Sequence, residues 1–229
     1  MPFCGYCFFI LLPCKTFNEG AILESHIYEQ FFIDKYCRNV LLYIYIPLYN
    51  YGEESLRVVL ETLRQSEEVT DFLWGDCANM VATPTMARLG KDSLPLLHDF
   101  ILEEGTMHSG KIYVFEAVAD IATLYLEKRD EAIEWFSTII DHILDGGPEA
   151  SFTDYALNGM LVSELLNIHV EELLPKIKQM YDRNLVERAS CGYWKDVEND
   201  MKENVYHKDN CVTDIKQTYR DLDRAFGRN

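Results

Sequence analysis

The chain has 229 residues, 48% hydrophobic and 13% aromatic, a profile far from that of a disordered chain and long enough for one large domain or two small ones. Lys and Arg total 21 against 38 Asp and Glu, a formal charge of −17. That balance argues against a nucleic-acid grip or adhesion to anionic lipid, both of which need clustered cations.

Residues 1–52 stand apart in composition. They carry three Lys or Arg and four Asp or Glu, so nearly all of the negative charge falls on 53–229. The run from Phe3 to Leu12 is too short to span a bilayer, and so is Val40 to Ile46, which Pro47 ends. No Lys or Arg precedes the first run and no A-x-A site follows it, as a signal peptide would require. Two readings of this segment stay open: a packing piece that caps the core, or a poorly structured leader.

The seven cysteines, Cys4, Cys7, Cys14, Cys37, Cys77, Cys191 and Cys211, are odd in number and scattered. They read as free thiols in a reducing cytoplasm rather than as a disulfide framework. Cys4 and Cys7 form a C-x-x-C, but zinc wants a second close pair and none is present.

From Gly52 the pattern turns helical. Leu56, Val59, Leu60 and Leu63 recur at i, i+3, i+4 and i+7, one apolar stripe over 54–65. Thr70-Asp71 offers an N-cap for a helix over 72–89 that holds Pro84, with Gly90 suited to a left-handed C′ position. Helices follow over 93–104, with Pro95 in the first turn, and over 111–126, separated by a break at 105–110. Further helices are expected over 130–145, 153–168 and 171–184, with Gly146-Gly147-Pro148 as a break and Pro175 near a helix start. After Leu185 the pattern changes, and 193–203 and 213–226 read as two amphipathic helices of a C-terminal cap.

The first helix of each pair begins near 54, 93, 130 and 171, a spacing of 37 to 41 residues. The second helices also overlay. Met80-Val81-Ala82 aligns with Val118-Ala119-Asp120 and with Met160-Leu161-Val162, while the Leu-Pro pairs 94–95 and 174–175 lie two periods apart. Helix pairs at this period are the signature of HEAT-like repeats, in which each pair buries its apolar face only by stacking on its neighbours. The expected architecture is an all-α, HEAT-like solenoid of three to four helix pairs. The expected organisation is an N-terminal segment 1–52, a repeat domain 53–185 and a cap 186–229.

The stretch from Leu73 to Met80, the Leu94-Pro95-Leu96-Leu97 helix and Tyr113-Val114-Phe115-Glu116-Ala117-Val118 resemble a bacterial family of uncharacterised HEAT-like proteins. The resemblance covers roughly residues 53–185 and implies the fold, with almost nothing about activity. Some members of that family end in a Cys-rich zinc-binding tail. This chain has only Cys191 and Cys211 near its end, so no zinc is implied.

One motif invites a chemical reading. Gly105 to Lys111 matches G-x-x-x-x-G-K, the loop whose backbone N–H groups and Lys cradle phosphates. Ile112 stands where a magnesium-binding Ser or Thr belongs, and the preceding segment is helical by period where the motif needs a strand. The histidines include no H-x-x-x-H pair, and no Ser, His and Asp set stands in a G-x-S-x-G context. No catalytic residue, metal or cofactor is expected. Polar and aromatic residues on the second helices, Trp74, Asp76, Asn79, Tyr113, Glu116, Asp120, Tyr155 and Asn158, form the candidate binding set on the concave face. The expected function is a non-catalytic cytoplasmic scaffold for a basic protein or peptide, with no nucleic-acid or membrane partner. The alternative is a hydrolase or nucleotide-dependent enzyme using the Gly105–Lys111 loop or a cysteine. A strand before Gly105 would favour that enzyme, and a helix the scaffold.

Overall fold

The computed structural model describes residues 52–74 and 78–203, apart from the side chains of 71–73 and 80. Residues 1–51, Asp76, Cys77, Cys211 and the helix expected over 213–226 lie outside the described residues. Among the described residues every regular element is helical and no strand occurs.

Helix α1, Glu53–Leu63, begins with Glu53 and Glu54, carboxylates placed where the helix dipole is positive. Its stripe of Leu56, Val59, Leu60 and Leu63 is buried. The next stretch differs from expectation. A separate short helix, α2, runs Glu67–Trp74, so Thr70 lies inside a helix and caps none. The Thr70 hydroxyl instead donates to the Thr62 carbonyl at 3.3 Å. Helix α3, Ala78–Gly90, continues through Pro84. Gly90 is helical rather than left-handed, and its glycine serves packing: a Cβ there would stand 2.8 Å from Leu97 Cδ1.

Helix α4, Leu94–Leu102, carries Pro95 in its first turn, where a missing N–H costs nothing. Helix α5, His108–Leu124, starts before the expected break ends, so Gly110 and Lys111 are helical residues. A Cβ on Gly110 would stand 3.2 Å from the Leu63 carbonyl oxygen, so this glycine sets how closely α5 approaches α1. A 3-10 turn, Leu126–Lys128, leads into α6, Arg129–Gly146, which ends at Gly147 with φ of 58°. That left-handed conformation is the glycine-favoured way to stop a helix. Helix α7, Tyr155–Asn167, is capped by Asp154, whose carboxylate accepts from the Leu157 N–H at 2.8 Å. Helix α8, Leu174–Asp182, repeats the Leu-Pro start, and α9, Arg188–Cys191, and α10, Trp194–Glu203, follow.

Helix α5 packs against α3 and α7, and α6 packs against α4 and α8. Position in the chain explains the composition of α5. Sandwiched between neighbours, it buries Val114, Phe115, Val118 and Ile121 completely or nearly so, and its Ala117, Ala119 and Ala122 permit close helix approach. Val81 and Ala82 of α3 and Leu161 and Val162 of α7, which overlay in the sequence, are buried with them. On α6 the Trp135 ring stands edge-on to Phe136 and Phe115, with centroids 5.1 and 6.2 Å apart. Its indole N–H reaches the Leu94 carbonyl at 3.2 Å.

Several polar ties between helices share one sequence separation. Arg64 grips Glu103, Arg129 donates to the Ile168 carbonyl, Lys176 donates to Ser137 and Arg183 to the Leu144 carbonyl, each pair 39 residues apart. Trp135 to Leu94 and Lys111 to Phe152 are 41 apart. Several of these cations meet helix C-termini, where the last carbonyls lack intrahelical partners and the dipole is negative.

Candidate functional site

The expected binding residues divide by burial. Trp74 is 4% exposed and its Nε1–H donates to Thr62 Oγ1 at 3.0 Å. Thr62 Oγ1 in turn donates to the Val59 carbonyl at 2.6 Å, so Trp74 locks α2 onto α1. It is a packing residue here, because an indole with its N–H satisfied inside the core has no ring face left for a partner. Asn158 is 3% exposed and also belongs to the framework: Oδ1 accepts from Thr153 Oγ1 at 2.7 Å and Nδ2 donates to the Leu185 carbonyl at 2.8 Å. Asp120 is 4% exposed. Asp76 lies outside the described residues.

The other four reach solvent. Asn79 on α3 and Tyr155 on α7 are exposed, and Tyr113 and Glu116 on α5 are half-buried. Tyr113, Glu116 and Asp120 follow an i, i+3, i+7 spacing and share one face of α5. Glu116 Oε2 accepts from Thr83 Oγ1 at 3.0 Å, which ties this face of α5 to α3. The sequence reading missed Glu164 of α7. It is 6% exposed and accepts from Asn167 Nδ2 at 3.4 Å. A carboxylate in the middle of an apolar helix was the signal that could have found it.

Residues 53–203 carry 13 Lys and Arg against 30 Asp and Glu. Five of those cations, Arg64, Lys111, Arg129, Lys176 and Arg183, are engaged in the ties described above, and others stand in surface pairs such as Lys128–Glu131 and Lys178–Asp182. Exposed carboxylates therefore dominate the surface field. Many stand on α6, where Asp130, Glu131, Glu134 and Asp145 are exposed.

The G-x-x-x-x-G-K segment has a structural use. Helix α4 ends at Leu102, so a helix and not a strand precedes Gly105. Lys111 is 1% exposed, and its ammonium donates to the carbonyls of Glu103 and Phe152. Burial brings its pKa down to about 8, while Glu103, Asp154 and Glu104 pull the other way. Nearby, Arg64 grips Glu103 at 2.6 Å and His108 Nε2 stands 3.1 Å from Asp154. The hydrogen bond from Arg64 holds the Glu103 carboxyl below its ordinary pKa. Lys111 is thus consumed by two protein carbonyls and does not project toward a phosphate.

Cys191 is the one cysteine among the described residues. Tyr181 OH lies 2.9 Å from its Sγ and 2.9 Å from the Gly192 carbonyl oxygen, to which it donates. Burial raises the pKa of both groups, so Cys191 is a protonated thiol and not an activated nucleophile. It borders a cavity of about 340 Å³ shared with Ser163, Asn167, Ser190, Asp196 and Asp200. Among the described residues, no three His, Cys, Asp or Glu side chains gather as a closed metal site would require, and no helix is long and apolar enough to cross a membrane. No family model, curated protein or solved structure matches this chain.

Proposed function

We propose that residues 53–185 are a HEAT-like α-solenoid, followed by a C-terminal cap, that serves as a non-catalytic scaffold for a basic protein or peptide segment. The observation that carries the solenoid is the recurrence of inter-helix hydrogen bonds at 39 to 41 residues, from Arg64–Glu103 to Arg183–Leu144. In a stack of equal units each residue meets its counterpart one period along, whereas an irregular bundle has no reason to favour one separation. This separation falls within the 37 to 41 residues expected between helix starts from the sequence.

Charge supports the partner class. With 30 Asp and Glu against 13 Lys and Arg over residues 53–203, the unit presents mainly carboxylates to solvent, which favours capture of a basic chain. Within this reading the row α3, α5, α7 is the binding face. Asn79, Tyr113, Glu116 and Tyr155 contact the partner, while the buried Asp120 and Asn158 hold the face in shape and Trp74 packs α2 onto α1.

The test is a titration of the full chain with a Lys- and Arg-rich peptide and with an acidic peptide of the same length. Binding of the basic peptide that weakens as salt rises supports the reading. Equal binding of both peptides, or of neither, overturns it.

A further inference from the structure

The cavity of about 340 Å³ beside Cys191 opens between α7 and the C-terminal helices. Ser163, Leu166 and Asn167 line it from α7, Ser190 from α9, and Asp196 and Asp200 from α10. Its volume is many times the roughly 30 Å³ share of one water, so it has room for a small organic group. Asp196 and Asp200 are four residues apart and share one face of α10. Asp196 Oδ2 accepts from the Tyr193 N–H at 3.0 Å, which serves the start of that helix and leaves Oδ1 to the cavity. Among the described residues, no hydrogen bond or ion pair engages the Asp200 carboxylate or the Ser163 and Ser190 hydroxyls. The neighbouring cations are turned elsewhere. Lys178 pairs with Asp182 and lies over the Trp194 ring, Arg188 lies over the Tyr193 ring, and Lys202 pairs with Glu198. The cavity therefore holds two carboxylates that no cation of the fold compensates.

We infer that this cavity binds a guanidinium group, carried by a free small molecule or by an arginine side chain. The lining selects the ligand. Carboxylates and hydroxyl oxygens facing one space call for a cation with several N–H donors. A guanidinium carries five in one plane, can meet a carboxylate with two parallel bonds, and has donors left for a hydroxyl. Its faces are weakly hydrated, so the buried Leu166 side chain suits them better than it suits a compact ammonium. A metal ion fits the lining less well, since no three His, Cys, Asp or Glu side chains come together among the described residues. This inference stands apart from the α3, α5, α7 face and needs neither that face nor the repeat stack.

Titrating the full chain with butylguanidine in a calorimeter should give saturable binding, and butylamine, an ammonium on the same butyl chain, should bind more weakly. Asp200→Asn should weaken butylguanidine by about tenfold or more, the worth of a hydrogen bond to a charged group. Ser163→Leu, which fills the cavity from α7 and leaves its charge alone, should weaken it too. If that variant fails to fold, Asp200→Asn decides. Glu68→Gln, which removes one exposed carboxylate from α2, should bind as the parent does. A capped Gly-Arg-Gly peptide separates the two sources. Binding as tight as that of butylguanidine assigns an arginine side chain, and exclusion of the peptide assigns a free small molecule. Absence of saturable binding overturns the inference, as does equal binding of butylamine. Equal weakening by Glu68→Gln and Asp200→Asn overturns it as well, because the acidic surface as a whole would then hold the cation.

Discussion

The Lys111 ammonium donates to the carbonyl of Phe152, 41 residues further along the chain, and to that of Glu103 at the end of α4. One buried side chain therefore joins three segments, α4, α5 and the approach to α7. Two acceptors suit a neutral amine, which still carries two N–H donors, and burial has already moved the group toward that form.

This arrangement predicts a pH dependence of stability. The folded pKa of Lys111 is about 8, below the ordinary value of 10.5. Between these values the unfolded chain binds more protons than the folded one, so stability should rise with pH across that window. Lys111→Met should remove this rise and leave two buried carbonyls unpaired, at a cost of about 1–3 kcal/mol near neutral pH. Urea denaturation of both proteins at pH 7.5 and 9.5 checks it. A parent protein with the same pH response as the variant would show that Lys111 does not titrate there.

Trp74 provides a second test. Buried at 4% exposure and bonded to Thr62, it should behave as core. Trp74→Ala should cost roughly 3–5 kcal/mol of folding free energy. Trp74→Phe keeps most of the apolar volume, loses the bond and should cost less. A melting temperature unchanged in Trp74→Ala would return this residue to the surface and to the binding face.

Gly159 sets how closely α7 meets the segment before α9. A Cβ there would stand 2.8 Å from the Glu187 carbonyl oxygen, a backbone atom that cannot swing aside. The Glu187 N–H also donates to the Tyr155 carbonyl at 2.8 Å, fixing the same contact from the other side. Gly159→Ala should therefore destabilise by about 1–3 kcal/mol, the range for overpacking, although alanine is the better helix former. Chemical denaturation of the variant measures it, and a stabilised variant would mean that α9 shifts freely.

Much of this fold was legible because helix amphipathicity is local. The stripe of α1 and the Leu-Pro starts of α4 and α8 are written in residues a few positions apart. The start of α2 was misread because Thr70-Asp71 resembles a cap, and only the fold shows Thr70 bonding to Thr62. Burial on the second helices was harder to foresee. A polar residue between two apolar neighbours reads as surface until a second helix covers it, as happens at Asp120 and Asn158. The role of Lys111 depends on a carbonyl 41 residues away, which no local motif encodes.

The last prediction separates two acidic surfaces. If α3, α5 and α7 hold the partner, Glu116→Gln with Tyr113→Ala and Tyr155→Ala should speed dissociation of a basic peptide, because these residues would be in direct contact with it. Neutralising Asp130, Glu134 and Asp145 on α6 should act differently. These exposed carboxylates contribute to the long-range field, so their loss should slow association at low salt and matter little at high salt, where screening shortens their reach to a few ångströms. Asp120 is left intact in both variants, since its burial would mix folding with binding. Association and dissociation rates measured at two salt concentrations distinguish the two effects. If the α6 variant instead dissociates faster and the α5 variant matches the parent, the binding face lies on α6 and the assignment to Tyr113, Glu116 and Tyr155 falls.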